Sequence, residues 1–274
     1  INHYDYINCI MVAWMRNIRM IVAYDGTHLV GYQKQPARKG ETVQGWLEKG
    51  LSKVCNEDIT IYGASRTDSG VHAKFQVVTF TTTGAIPAEN LPHAMMSQLP
   101  PYIVVRSAEE IDLDWKPRYK IYGKAYTYQI HNEYIDDPLT QRYHWRVTKP
   151  LNIELMRKGA QALIGTHDFT TLQGTNSTPA NPVKTIYGIG IKKVGPMVTI
   201  SVIGDGFLYH MVRNIAGLLV DVGLGRRDPT LIPMYLEKKD RRQIGKTAPP
   251  QGLCLEEIFF SKERMDEVIE TVTK

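Results

Sequence analysis

The sequence predicts a mixed α/β (α+β) protein built from two sub-domains. Three observations carry that prediction. Segments that alternate apolar and polar residues are interleaved with segments of helical spacing, and the second half repeats the rhythm of the first. With 274 residues, 43% of them apolar and 22% charged, the chain can bury two cores. No low-complexity stretch separates the halves, so they are expected to pack closely, as 15–114 and 115–274 with the join near Asp112–Lys116.

The elements follow in order. Ile18, Met20, Val22 and Tyr24 alternate with Arg19, Ile21 and Ala23, a strand that stops at the turn dipeptide Asp25-Gly26. Thr42 is an N-cap type, and Val43, Trp46, Leu47, Leu51 and Val54 behind it keep helical spacing. Ile59 and Ile61 start another strand and FQVVTF at 75–80 gives the next. Leu91 to Leu99 favours a helix ended by Pro100-Pro101, and YIVVRS at 102–107 is a strand.

In the second half, Tyr122, Lys124, Tyr126, Tyr128 and Ile130 share one face of a long strand. Ile153 to Ile164 reads as a helix opened by Asn152 and closed by Gly165. Strand patterns at 183–194 and 197–203 flank a hairpin turn at Gly195-Pro196. A helix from about 208 carries Met211, Ile215, Leu218, Leu219 and Val222. Asp228-Pro229 is a capping residue followed by Pro at the first helical position, LCLEEIFF at 253–260 is a last strand, and a short polar helix follows it.

Composition narrows the class. A net charge of +5 and a pI near 8.9 permit a polyanionic partner without requiring one. Cys9, Cys55 and Cys254 are far apart and odd in number, with no C-x-x-C, so neither a zinc framework nor a disulfide scaffold is expected and a reducing compartment, the cytoplasm, fits. No apolar run reaches the roughly 18 residues a bilayer requires. INHYDYINCIMVAW at 1–14 lacks a basic n-region and is read as lying outside the fold, as a flexible leader or from a misplaced start. His72 and His167-Asp168 have no second ligand at metal-binding spacing, so no metal is expected, and Gly188-x-Gly190 lacks the third glycine and following helix of a dinucleotide site.

The stretch YGASRTDSGVHA at 62–73 concentrates the chemistry. If the chain stays extended, Arg66 and Asp68 fall on one face, where a guanidinium can hold a carboxylate ionised and grip a phosphate. Thr-Asp-Ser-Gly is also good turn chemistry, and spacing by itself favours a turn with a salt-linked aspartate. Tyr126 and Tyr128 are, by pattern, strand aromatics that pack or line a site. Arg213 falls off the Met211–Ile215–Leu218 stripe, where a charge is ordinarily solvated. Arg38-Lys39, Lys192-Lys193, Arg226-Arg227 and Lys238 to Arg242 are short basic segments, each by itself a solvated face and together an RNA track if they converge.

GASRTDSGVHA resembles the G-R-T-D-x-G-V-H-A signature of the tRNA pseudouridine synthase A family. YDGTHLVGYQKQ at 24–35, Thr42-Val43-Gln44, KAYTYQI at 124–130, GTHDFT at 165–170, GFLYHMVRNIAG at 206–217 and GLCLEEI at 252–258 resemble its further motifs in the same order, from about 15 to 260. The resemblance implies a mostly antiparallel central sheet shared by two similar sub-domains and flanked by helices, an active-site cleft between them, a homodimer, and no cofactor. It implies isomerisation of uridine to pseudouridine in the anticodon stem-loop of tRNA, at positions 38 to 40. Asp68 corresponds to the catalytic aspartate, Arg66 to its arginine neighbour and Tyr126 to the active-site tyrosine. Arg213 corresponds to an arginine that reaches into the cleft, while His210 and Asn214 are structural. The carboxylate can attack C1′ or C6 or take a proton from C2′, and the motifs leave these routes open. Tyr32 stands where the family usually has Trp, WKPRYK at 115–120 only loosely matches F-H-A-R-F-S, and LQGTNS at 172–177 departs from the commoner loop. Two rivals remain: a non-catalytic RNA-binding protein of the same fold, and a hydrolase using Asp68 on a glycosidic bond. The second lacks the second positioned carboxylate such enzymes use.

Overall fold

The computed structural model describes residues 15–36, 39–118, 121–175, 177 and 181–274. The segment 1–14, read above as a leader, and Arg38 lie outside the described residues. The fold is mixed α/β, with mostly antiparallel strands and six α-helices among the described residues. The chain forms two compact units, Ile1–Ile121 and Tyr122–Lys274.

In the first unit β1 (Arg16–Tyr24) lies between two antiparallel partners, β3 (His72–Thr82) and β4 (Ile103–Ile111), while the two-residue β2 (Tyr62–Gly63) pairs with β3. Alternation drives this: Ile18, Met20 and Val22 are wholly buried on one face of β1. Helix α1 (Val43–Cys55) starts where Thr42 caps it, Oγ1 accepting from Gly45 N at 3.1 Å, and buries Leu47 and Leu51. Helix α2 (Leu91–Met96) buries Leu91 and Met95. The strand expected from Ile59 and Ile61 shrinks to β2 because side chains of α1 take its backbone donors: Ile59 N reaches Ser52 Oγ at 3.0 Å and Ile61 N reaches Glu48 Oε1 at 3.3 Å.

In the second unit β5 (Gly123–His131) lies between β9 (Met197–Gly204) and β10 (Leu253–Phe259), both antiparallel to it. β9 continues through the Gly195-Pro196 hairpin to β8 (Val183–Val194), and β8 pairs with β7 (Gly165–Asp168). β6 (Trp145–Arg146) runs parallel to the end of β5. β6 and β7 are too short to leave a sequence pattern. Helices α3 (Ile153–Gln161) and α4 (Met211–Gly223) pack closely, since a Cβ on Gly223 would sit 2.8 Å from Met156. α5 (Ile232–Glu237) follows the Asp228-capped turn, and α6 (Lys262–Thr273) lays Val268, Ile269 and Val272 on Ala125, Ile203 and Phe259. α4 starts at Met211, not 208, because His210 has φ +61°, a left-handed conformation that a helix cannot include. Likewise α3 stops at Gln161, and Gly165 at φ +109° opens β7 instead of closing the helix. No helix among the described residues is long and apolar enough to cross a membrane.

Candidate active site

The segment between β2 and β3 bends at Ala64, runs without regular structure to Asp68 and then turns. Ala64 N donates to Val77 O at 2.9 Å, and the Gln76 side chain, fully buried, brackets Ser65 by accepting from its N at 3.2 Å and donating to its O at 2.9 Å. Thr67 points inward, its Oγ1 2.7 Å from Tyr24 Oη, and its carbonyl accepts from Tyr32 N at 3.1 Å. Alternation therefore leaves Arg66 exposed and Asp68 half-buried, one on each side of buried Thr67. A turn follows directly: Val71 N donates to Asp68 O at 3.2 Å, with Gly70 at φ +76°.

A neighbouring loop grips this turn. Gly70 N and Ser69 Oγ both donate to Leu29 O, at 3.3 and 3.2 Å. His72 Nδ1 accepts from Gly26 N at 3.0 Å. A Cβ on Gly26 would lie 2.1 Å from Val71 O, so YDG at 24–26 is chosen for close backbone approach. YDGTHLVGYQKQ and GASRTDSGVHA are thus two sides of one structure that fixes the backbone of Asp68. His72 is spent on this loop.

Arg66 lines a cavity of about 610 Å³ in the first unit, together with Tyr62, Trp115, Lys116 and Arg118. Arg118 Nε donates to Gly63 O at 3.1 Å, and Trp115 receives the Arg19 guanidinium 5.3 Å above its ring. Tyr32 is a further wall. Its phenol is buried against Gly63, and desolvation pushes its pKa up, opposed by the nearby Arg118 and Arg66. Cations beside aromatic rings suit the phosphates and bases of a nucleic acid.

Tyr126 and Arg213 belong to the second unit. Tyr126 sits in mid-β5, opposite Val202 and Leu255, with 7% exposure and its ring edge-on to Phe207 at 5.3 Å. Tyr128, two positions on, is wholly buried and donates from Oη to Pro249 O at 2.7 Å. Burial pushes the Tyr128 phenol well up, opposed by Arg213. Arg213 is half-buried rather than solvated: Nε donates to Ala248 O at 2.8 Å and its carbonyl accepts from Ala248 N at 3.2 Å. Arg213, Tyr128 and the 248–249 segment are therefore one cluster. Asn214 beside Arg213 is a buried hub, donating to Leu172 O at 2.8 Å and accepting from Arg241 at 3.1 Å and Thr247 at 2.7 Å.

The basic segments of the second unit are occupied internally. Arg226 and Arg227 both reach Asp221, Lys239 Nζ lies 2.7 Å from Asp168, and Arg242 pairs with Asp240. Arg241 turns inward onto Ile244 and Gly245 carbonyls, and desolvation lowers its pKa. Only Lys192 and Lys193 among the described basic pairs lie exposed without such partners. Sequence spacing also missed a group: His131, Asp136 and His144 meet in the second unit, with their ligand-type atoms within 4.8 Å of one another.

Comparison with known proteins adds an independent line. A family described as tRNA pseudouridine synthase matches residues 20–120 and 160–261. A tRNA pseudouridine synthase A of Thermoanaerobacter sp. (strain X514) is 43% identical over 246 residues, covering 90% of this chain and 100% of the relative. Proteins of the same name from Brevibacillus brevis and Geotalea daltonii are 40% and 41% identical over the same length, each also covering 90% of this chain and 100% of the relative.

Proposed function

We propose a residue-level mechanism for a chain that belongs to the tRNA pseudouridine synthase family. It is an isomerase that converts uridine to pseudouridine. In that reaction the N1–C1′ bond breaks, the uracil turns, C5 bonds to C1′, C5 gives up its proton and N1 gains one.

Asp68 is the catalytic carboxylate. The observation that carries this is the turn itself. Backbone bonds from Tyr32, Val71 and Gly70 and the Ser69 hydroxyl hold 67–70 while leaving the Asp68 side chain half-open. A carboxylate presented by a rigid turn delivers its charge to a flipped-out nucleotide without reorganising. Arg66 is the phosphate or base contact on the adjoining face, and the cavity of Trp115, Lys116 and Arg118 supports RNA on that side. Tyr126 is the stacking ring and Arg213 a substrate-binding cation. The substrate is tRNA, at uridines 38 to 40 of the anticodon stem-loop. The enzyme works in the cytoplasm as a homodimer. The reading needs no cofactor.

The test is incubation with unmodified tRNA followed by mapping of pseudouridine. Asp68→Ala and Asp68→Asn should keep tRNA affinity and abolish conversion, and Tyr126→Phe should cut turnover more than folding. Conversion by both Asp68 variants overturns the mechanism, and pseudouridine outside 38 to 40 overturns the position. Retained binding without conversion by the unaltered chain would favour the RNA-binding reading.

A further inference from the structure

β5 ends at His131, and the chain returns to it fourteen residues later as β6, which pairs parallel with Ile130 and His131. Val147 N donates to His131 O at 2.9 Å, and Asn132 fastens the base by donating to Val147 O and Lys149 O, both at 2.8 Å. His144, immediately before β6, is thereby delivered beside His131, with ring centres 4.9 Å apart and planes 28° apart. Between them the loop folds on Asp137, whose carboxylate takes Leu139 N at 3.0 Å and Thr140 Oγ1 at 2.7 Å, and this places Asp136 at the two rings.

Asp136 Oδ1 lies 2.6 Å from His144 Nε2 and 3.7 Å from His131 Nδ1. Both histidine side chains are more than nine-tenths buried, yet His131 Nδ1, aimed at the carboxylate, has no hydrogen-bond partner among the described residues. A buried ring nitrogen without a partner is rarely kept in a fold for nothing. Asp136 is the more open member, with 27% of its side chain exposed, which gives an ion a way in and leaves room for water. Arg146 Nε, 3.9 Å from Asp136 Oδ2, is on a half-exposed side chain that can swing out to solvent.

We propose that His131 Nδ1, His144 Nε2 and the Asp136 carboxylate bind one divalent ion of the zinc type, which clamps the 132–144 loop to the end of β5. Two imidazoles and a carboxylate suit this ion class, and water completes the fourth position. Ligands held about 2.1 Å from a tetrahedral zinc stand about 3.4 Å from each other. The His131–Asp136 pair at 3.7 Å is near that spacing, and the His144–Asp136 pair opens by less than an ångström as zinc replaces the shared proton, which leaves to solvent.

The test uses the full chain stripped with a chelator and titrated with Zn²⁺ against a chromophoric indicator, with bound metal counted by mass spectrometry and melting followed in parallel. One zinc per chain and a raised Tm are expected. Asp136→Asn and His131→Gln should each weaken binding by about tenfold or more and remove the Tm rise. His131→Phe, which replaces the orphan nitrogen by an apolar ring, should fold, fail to bind zinc and melt no lower than the stripped parent. No zinc bound at micromolar concentration, or binding undiminished in Asp136→Asn and His131→Gln, overturns the proposal and leaves a protein-only hydrogen-bond cluster.

Discussion

Replacing Asn214 by Ala probes the support beneath Arg213. Asn214 is 1% exposed, and its amide is matched on every side: Nδ2 to Leu172 O, Oδ1 to Arg241 and Thr247. Each neutral bond contributes about 1 kcal/mol net and the bond to the Arg241 guanidinium somewhat more, so their loss is about 3–4 kcal/mol. Leu172 is itself fully buried, so water cannot replace the donor its carbonyl loses. A loss of that size lowers Tm by about 10 °C in a chain of this length. Scanning calorimetry on Asn214→Ala and on Asn214→Asp separates the parts. The aspartate keeps both acceptor bonds but opposes the Leu172 carbonyl with an oxygen, so its loss should be about half as large. Because α4 carries both residues, tRNA affinity should fall in Asn214→Ala beyond what the unfolded fraction explains. A Tm drop below about 3 °C, equivalent to about 1 kcal/mol, would falsify the hub.

Gly26→Ala should destabilise the first unit by about 1–3 kcal/mol, because its Cβ meets Val71 O at 2.1 Å, and should cut conversion at temperatures where the variant is still folded. Wild-type turnover in a folded Gly26→Ala would mean the loop 24–31 does not position Asp68. Tyr128→Phe leaves Pro249 O without its donor and should cost about 1–2 kcal/mol in urea titration, with KM and turnover unchanged at 25 °C. A changed turnover there would move Tyr128 into the active site. The carboxyl of Asp168 is held below its usual range chiefly by its bond to Lys239. A depressed folded-state value means that this stability is present above the ordinary carboxylate value of about 4 and is lost as pH falls through the folded value. Lys239→Met should therefore flatten the acid limb of a Tm–pH curve below about pH 4, and an unchanged limb would remove Lys239 from the account.

Element types and candidate chemistry are legible in local stretches of the chain. Period-two and helical patterns over β1, β5, β8, β9, α1 and α4 are long enough to register, and Thr42, Asn152 and Asp228 cap where their side chains predict, since caps depend on neighbours two or three residues away. Motif order pointed to Asp68, Arg66, Tyr126 and Arg213. How those groups are held depends on residues far away in the chain. Ile59 and Ile61 lost their strand to Ser52 and Glu48, and the rigidity of the Asp68 turn comes from Gly26, Leu29 and Tyr32, some forty residues upstream. Arg66 lines a cavity with Trp115 and Arg118, and most of the basic runs turned to acids or carbonyls that no local spacing reveals. His131 and His144 became neighbours because two residues of parallel pairing close a loop too irregular to leave a pattern. Local propensity is written in adjacent residues, whereas hydrogen-bond partners and burial are set by which distant backbone groups the fold leaves to be satisfied.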